Sequence, residues 1–231
     1  MKKTIAIILA RTGSSRLKKK IIWKPFNNDL TLINFFINRL KKCKKIDKIV
    51  LATTKKRKDK ILTKIAKKQK IDFYTGSEDD VLLRVVNTLN KYGEDFKYVL
   101  RANADCPLFM PTIQDKHIKN FIQSDKDLFS PFRNCIEPFG FSFCLFKKDI
   151  IYKIDSMAKK KIYREHIENF CFDNKGKFSF FNPKKSKYVS PKLKLTLDNY
   201  YDQIKIRFLL SKIKKIPLTK QPGWIIKFFS N

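Results

Sequence analysis

Three short stretches of this chain gather side chains able to handle phosphate and a divalent cation. The first runs Ala10-Arg11-Thr12-Gly13-Ser14-Ser15-Arg16-Leu17-Lys18-Lys19-Lys20. Small residues at 12–15 let backbone N–H groups approach a phosphate closely. Arg11, Arg16 and Lys20 bring charge to the same loop. The spacing is not that of a Walker A loop, and a plain basic surface loop is the competing reading. The second stretch is Arg101-Ala102-Asn103-Ala104-Asp105-Cys106-Pro107-Leu108. A carboxylate such as Asp105 suits Mg²⁺ beside phosphate oxygens; an Asp just ahead of a Pro also starts turns. The third is Lys194-Leu195-Thr196-Leu197-Asp198, followed by Asn199-Tyr200-Tyr201-Asp202. Asp198 reads equally well as a metal ligand and as the N-cap of the helix that follows.

Lysine is so abundant here that arginine becomes informative. The chain has a formal net charge of +31 from 52 Lys and Arg against 21 Asp and Glu, and nearly all of the excess is Lys. Lys, Ile, Asn and Phe are jointly plentiful, as under A/T-rich codon bias, so the charge alone names no polyanionic partner. Only nine of the 52 cations are Arg. Those that remain are candidates for planar, bidentate phosphate or carboxylate binding, which Lys cannot copy. Arg11, Arg16, Arg101 and Arg164 all fall in motifs.

These residues need elements to hold them. Thr4 to Ala10 is a short, β-branched apolar run that reads as a buried first strand rather than a signal peptide. Leu30, Ile33, Phe36, Ile37 and Leu40 recur at helical spacing behind Asn28 or Asp29 as a cap. A strand over 48–54 follows, then a basic helix over 59–70 with Ile61, Leu62, Ile65 and Ala66 inward. A strand at 71–74 precedes a helix from Val81 to Leu89, opened by Glu78, Asp79 and Asp80 and stopped by Gly93. The strand at 98–102 runs into the second chemical stretch. Strand and helix alternate, which predicts an α/β fold with a mostly parallel sheet and ligands at the strand carboxyl ends. In the second half, strands are expected at 139–146, 178–181 and 192–197, with helices at 163–170 and 199–212. The whole is one domain over 1–231. Within it a first half at 1–130, an inserted substrate lobe at 131–190, and a strand end carrying Asp198 with the last helix at 191–231 are expected.

Taken together, Ala10 to Leu17, Gly76-Ser77-Glu78-Asp79-Asp80-Val81-Leu82, Asp105 to Leu108, Arg164-Glu165-His166-Ile167 and Leu195 to Asp198 appear in one order that resembles the cytidylyltransferase family. The resemblance is to the spore-coat polysaccharide biosynthesis protein F type, related to CMP-Kdo and CMP-sialate synthetases. It implies a Rossmann-like, GT-A-like nucleotidyltransferase fold, CTP as donor, an acidic sugar as acceptor, Mg²⁺ and a homodimer. It places Arg11, Ser14, Arg16 and Lys20 around the triphosphate, with Asp105 and Asp198 on the metal. Ala10, Gly13, Thr53, Ser77, Asp80 and Arg101 complete the expected nucleotide site, and Arg164, Glu165 and His166 form the sugar side. The catalytic set would be Arg11, Arg16, Lys20 and Asp105, with His166 as one of several possible bases.

Two departures stand out. The family loop usually reads Arg-Leu-Pro-Gly-Lys, whereas this chain has Arg16-Leu17-Lys18-Lys19-Lys20, which lacks the fixed and the permissive φ. Ala104 stands where Gly is commoner. Five scattered cysteines (43, 106, 135, 144 and 171) without C-x-x-C point to a reduced, cytoplasmic protein with no structural zinc. No apolar run reaches membrane-spanning length. The competing functions are a nucleotidyltransferase with another nucleotide or a sugar phosphate, a basic nucleic-acid-binding protein, and an inactive relative. No specific nucleic-acid motif supports the second.

Overall fold

The computed structural model describes residues 3–14, 16–26, 28–133, 136–190 and 193–230. Ser15, Cys135 and Lys192, named above, lie outside these. Among the described residues, seven strands form one sheet in the order β3-β2-β1-β4-β6-β5-β7. Strand β1 (Thr4–Leu9) is central, with β2 (Lys48–Thr54) and β4 (Tyr98–Asn103) parallel on either side. Strand β3 (Asp72–Gly76) extends the parallel half. Strand β6 (Cys144–Lys147) is antiparallel to both β4 and β5 (Leu128–Phe129), and β7 (Phe180–Phe181) closes the edge.

The two faces follow from strand periodicity. Ala6 and Ile8 join Leu51 and Leu100 on one face, under α1 (Leu32–Leu40), α2 (Lys60–Lys68) and α4 (Pro111–Ser124). Ile5 and Ile7 join Val50 and Val99 on the other, under α3 (Val81–Tyr92), α5 (Lys148–Met157) and α7 (Ile167–Asp173). Burying each such Ile or Leu is worth roughly 1.5–3 kcal/mol, so β1, buried along its whole length, anchors both layers. A third apolar cluster joins residues 193–197 to α8 (Tyr200–Ile213) and α9 (Gln221–Ser230). The 131–190 segment is woven into the same sheet through β6 and β7.

Several local expectations are corrected. Thr31 caps α1 by accepting the Asn34 N–H at 3.4 Å, while Asn28 only closes a turn onto Leu30. Ile61 faces solvent, because α2 buries the Leu62 and Ala66 stripe instead. Helix 163–170 is broken in two: α6 (Lys161–Glu165) ends at His166, which also opens α7. Residues 193–197 form no strand beyond a single bridge between Lys194 and Phe139, and strand 139–146 shrinks to β6. The helix at 199 is capped by Asn199, in a capping box with Asp202, and not by Asp198. Helices α4, α5 and α9 had no clear sequence signal.

Candidate active site

The basic loop hangs from the carboxyl end of β1 and is pinned by a residue the sequence did not single out. Asp59 is fully buried at the start of α2. Its Oδ1 accepts the Thr12 N–H at 2.7 Å and the Thr12 hydroxyl at 2.6 Å, and its Oδ2 accepts the Thr54 hydroxyl. The Thr12 carbonyl in turn accepts the N–H groups of Ser14 and Lys19, at 3.2 and 3.3 Å. Lys19 sits in the left-handed region at φ 57°. The loop therefore keeps the permissive conformation without the glycine, and Lys20 opens the short 3-10 turn Lys20–Ile22.

Lys20 reaches between the two motif aspartates. Its ammonium lies 2.8 Å from Asp105 Oδ2, 3.3 Å from Asp198 Oδ1 and 2.8 Å from the Leu197 carbonyl. The chain segments are clamped together as well, since the Leu197 N–H donates to the Asp105 carbonyl at 2.8 Å. With capping left to Asn199, the Asp198 carboxylate is free to face the loop, and its own N–H is held by Asp202 at 3.0 Å. Arg16 meets Asp198 Oδ1 at 3.0 Å, and Lys194 meets Oδ2 at 2.5 Å. Burial alone would raise the Asp198 carboxyl. The hydrogen bond from Lys194, the charge of Lys20 and the bond from Thr196 outweigh it and hold the group at about 2. Two carboxylates and a carbonyl around one cation form the all-oxygen donor set that suits a hard divalent ion. Among the described residues no three His, Cys, Asp or Glu converge on a metal-sized site. An ion there would complete its shell with ligand oxygens and water.

Beyond this cluster a cleft of about 570 Å³ opens along the strand carboxyl ends. Its floor holds two buried guanidiniums. Arg101 pairs with Glu168 at 2.8 Å, and Arg84 donates to the Ser77 carbonyl at 2.7 Å. The Nε of each is buried without a partner. Burial, then the charge of Arg11, pushes Arg84 down to about 10, with Arg101 adding to the repulsion. Such a cluster is receptive to an anion. Phe132, Phe139, Phe172, Glu165 and His166 shape the far side.

Of the residues expected from sequence, Ala10, Arg11, Gly13, Ser14, Arg16, Lys20, Arg101, Asp105, Glu165 and His166 line this cleft, and Asp198 joins it through Lys20. Four do not line it. Thr53 is wholly buried in β2. Ser77 accepts the Asp80 N–H at 3.0 Å, and Asp80 caps α3 through Leu83. Arg164 is used up in tying helices together: it binds Asp80 at 2.5 Å, Asp155 at 2.7 Å and the Ala158 carbonyl at 3.1 Å. Arg84, Glu168 and Asp59 were missed. Arg84 was findable, as another of the few arginines in a lysine-rich chain.

Residues 5–221 match the family model described as cytidylyltransferase. The chain belongs to the cytidylyltransferase family. It is 33% identical over 201 residues, 87% of its length, to an uncharacterised protein of Methanocaldococcus jannaschii, covering 80% of that protein. It is 25% identical over 223 residues to the spore coat polysaccharide biosynthesis protein SpsF of Bacillus subtilis, covering 94% of this chain and 90% of the relative. Its fold is shared with a cytidylyltransferase structure from Leptospira borgpetersenii, at a TM-score of 0.89 and 26% identity, over 100% of this chain and 96% of that one. The Lys20 cluster and the cleft lie at the strand carboxyl ends, where open parallel α/β sheets bind their ligands. No helix among the described residues is long and apolar enough to cross a membrane.

Proposed function

We propose that this cytidylyltransferase moves CMP from CTP to an acidic sugar of the Kdo or nonulosonate kind, releasing pyrophosphate, in the synthesis of a surface glycan. The observation that carries the reading is the meeting of Asp105 and Asp198 on one ammonium at the mouth of an arginine-floored cleft. In this reading Arg11, Arg16, Ser14 and the loop N–H groups hold the triphosphate. Lys20 moves from the carboxylates onto phosphate oxygens, and the cationic loop stabilises the charge that develops on the leaving pyrophosphate. Asp105 and Asp198 would hold Mg²⁺, whose chemistry there is to neutralise phosphate charge and orient the reacting phosphoryl group. Glu165 and His166 position the acceptor on the far side, and the sugar hydroxyl attacks the α-phosphorus in line. The cationic floor formed by Arg84 and Arg101 favours an acceptor with a negative charge. The protein works as a homodimer, as the family resemblance implies, and in the cytoplasm, in keeping with its scattered cysteines.

The test is pyrophosphate release with each of the four ribonucleoside triphosphates against a panel of acidic and neutral sugars, with Mg²⁺ present. Turnover restricted to CTP plus an acidic sugar is expected. Turnover with a different nucleotide, or only with neutral sugar phosphates, would overturn the assignment.

A further inference from the structure

The outer side of α8 is unlike the rest of the surface. Tyr200, Ile204 and Phe208 recur every fourth residue and are 67%, 55% and 40% exposed. Phe228 and Phe229 of α9 continue the patch at 44% and 40%. The rings are organised rather than scattered. Phe208 lies 5.1 Å from Phe228, which stacks on Trp224 at 5.6 Å. Cations rest on one of these rings and on two beside them: Lys212 lies 5.5 Å over Phe208, Lys214 3.6 Å over Phe26 and Arg207 5.2 Å over Trp23. A groove of about 670 Å³ runs between Phe26 and α8, and no described residue lining it is acidic. Residues 199–230 hold seven Lys or Arg and one acid, Asp202, and Asp202 is occupied in the capping box.

A contiguous exposed apolar patch rimmed by cations marks a docking face. Three kinds of occupant can be weighed by chemistry. A second copy would press one cation-rimmed face, with Arg207, Lys212 and Lys214, onto another of the same sign in a two-fold contact. A nucleic acid would need free ring faces for its bases, whereas Phe228 is flanked by Trp224, Phe208 and Phe229, and Ile204 offers no ring. An anionic bilayer matches both features at once, with aromatic and aliphatic groups at headgroup depth and cations against lipid phosphates. We propose that the α8–α9 face docks this protein peripherally on an anionic membrane surface. Ile204, Phe208, Phe228 and Phe229 enter the headgroup region, while Arg207, Lys212 and Lys214 meet the phosphates. The proposal does not depend on the CTP reading.

The strongly basic chain could adhere to anionic vesicles anywhere, so the test keeps charge constant. The full chain is sedimented with phosphatidylcholine vesicles containing about 30% phosphatidylglycerol, and with pure phosphatidylcholine. It is compared with an Ile204→Ser, Phe229→Ser double variant, whose two side chains already face solvent. The wild type should sediment with the anionic vesicles only. Brominated lipid should quench its tryptophans, since Trp23 and Trp224 both pack in the cluster beneath this face. The variant should bind at least ~10-fold more weakly, with an unchanged thermal midpoint. Undiminished binding by the folded variant, or binding without quenching, would show diffuse charge attraction and overturn the proposal. So would a variant that merely turns an oligomer into a monomer while keeping its affinity for vesicles.

Discussion

Thr12 and Asp59 are joined twice, through the Thr12 backbone N–H and through its hydroxyl, and the carboxylate that receives both is completely buried. With the Thr54 hydroxyl on its other oxygen, Asp59 fastens the end of β1 to the end of β2. It thereby sets where Lys19 and Lys20 fall. Asp59→Asn replaces one acceptor oxygen with a donor and leaves a buried group unsatisfied. We expect a loss of about 1–3 kcal/mol in denaturant unfolding, together with a raised KM for CTP. Unchanged stability and KM would show that the loop is held elsewhere.

Asp105 tests the centre itself. Its side chain is partly exposed and its ion pair is with Lys20, so Asp105→Asn should fold normally. Turnover at saturating CTP should fall by at least ~100-fold, the usual scale for losing a group that acts on transition-state charge. Steady-state pyrophosphate release checks this, and near-normal turnover at low Mg²⁺ would remove Asp105 from the mechanism.

Asp198 links the site to stability through pH. Its carboxyl lies at about 2 in the folded protein against an ordinary 3.8, so the unfolded chain takes up the proton first. The stabilisation is complete above about pH 5 and is lost as pH falls through the unfolded value and on through 2. It amounts to no more than about 2 kcal/mol, because Lys194 and Arg16 are half or more exposed and screened by water. The stability difference between wild type and Asp198→Asn should therefore shrink between about pH 5 and pH 2. A gap that stays constant across that range would mean the carboxylate is not held by its cations.

Lys19 carries a left-handed backbone where the family pattern has glycine. A side chain there costs on the order of 1 kcal/mol. Lys19→Gly removes that strain but adds unfolded-state entropy, so we expect a gain of no more than about 0.5 kcal/mol with activity retained. Lys19→Val, with its branched Cβ, should lose at least ~1 kcal/mol and displace Lys20. Urea midpoints and CTP turnover of the two variants would decide it; equal behaviour would mean the loop relaxes freely.

The parallel half was legible because its strands are buried on both faces and its helices carry clean apolar stripes. The second half was not. Helix α4 turns Gln114 and His117 inward, where Gln114 accepts the Phe143 N–H at 2.8 Å and His117 faces Glu137 at 3.2 Å. Buried polar residues with partners across the chain erase the periodicity that a local reading needs. Strands β5 and β7 are two residues each, too short to alternate. At the site, the rarity of Arg singled out Arg11, Arg16 and Arg101, which line the cleft. It also singled out Arg164, whose planar guanidinium lies outside the cleft and binds Asp80 and Asp155. Asp59 left no trace, since a single buried carboxylate is defined only by donors from other segments.

The centre is stitched from four distant parts of the polypeptide: the turn after β1, Asp59 behind β2, Asp105 beyond β4 and the 193–198 segment laid against it. Nothing local prepares it. A chain emerging from the ribosome would carry every described strand of the sheet before Asp198 arrived to face Lys20. Competence to handle a nucleotide would then switch on late and all at once, and unfinished products would stay chemically silent.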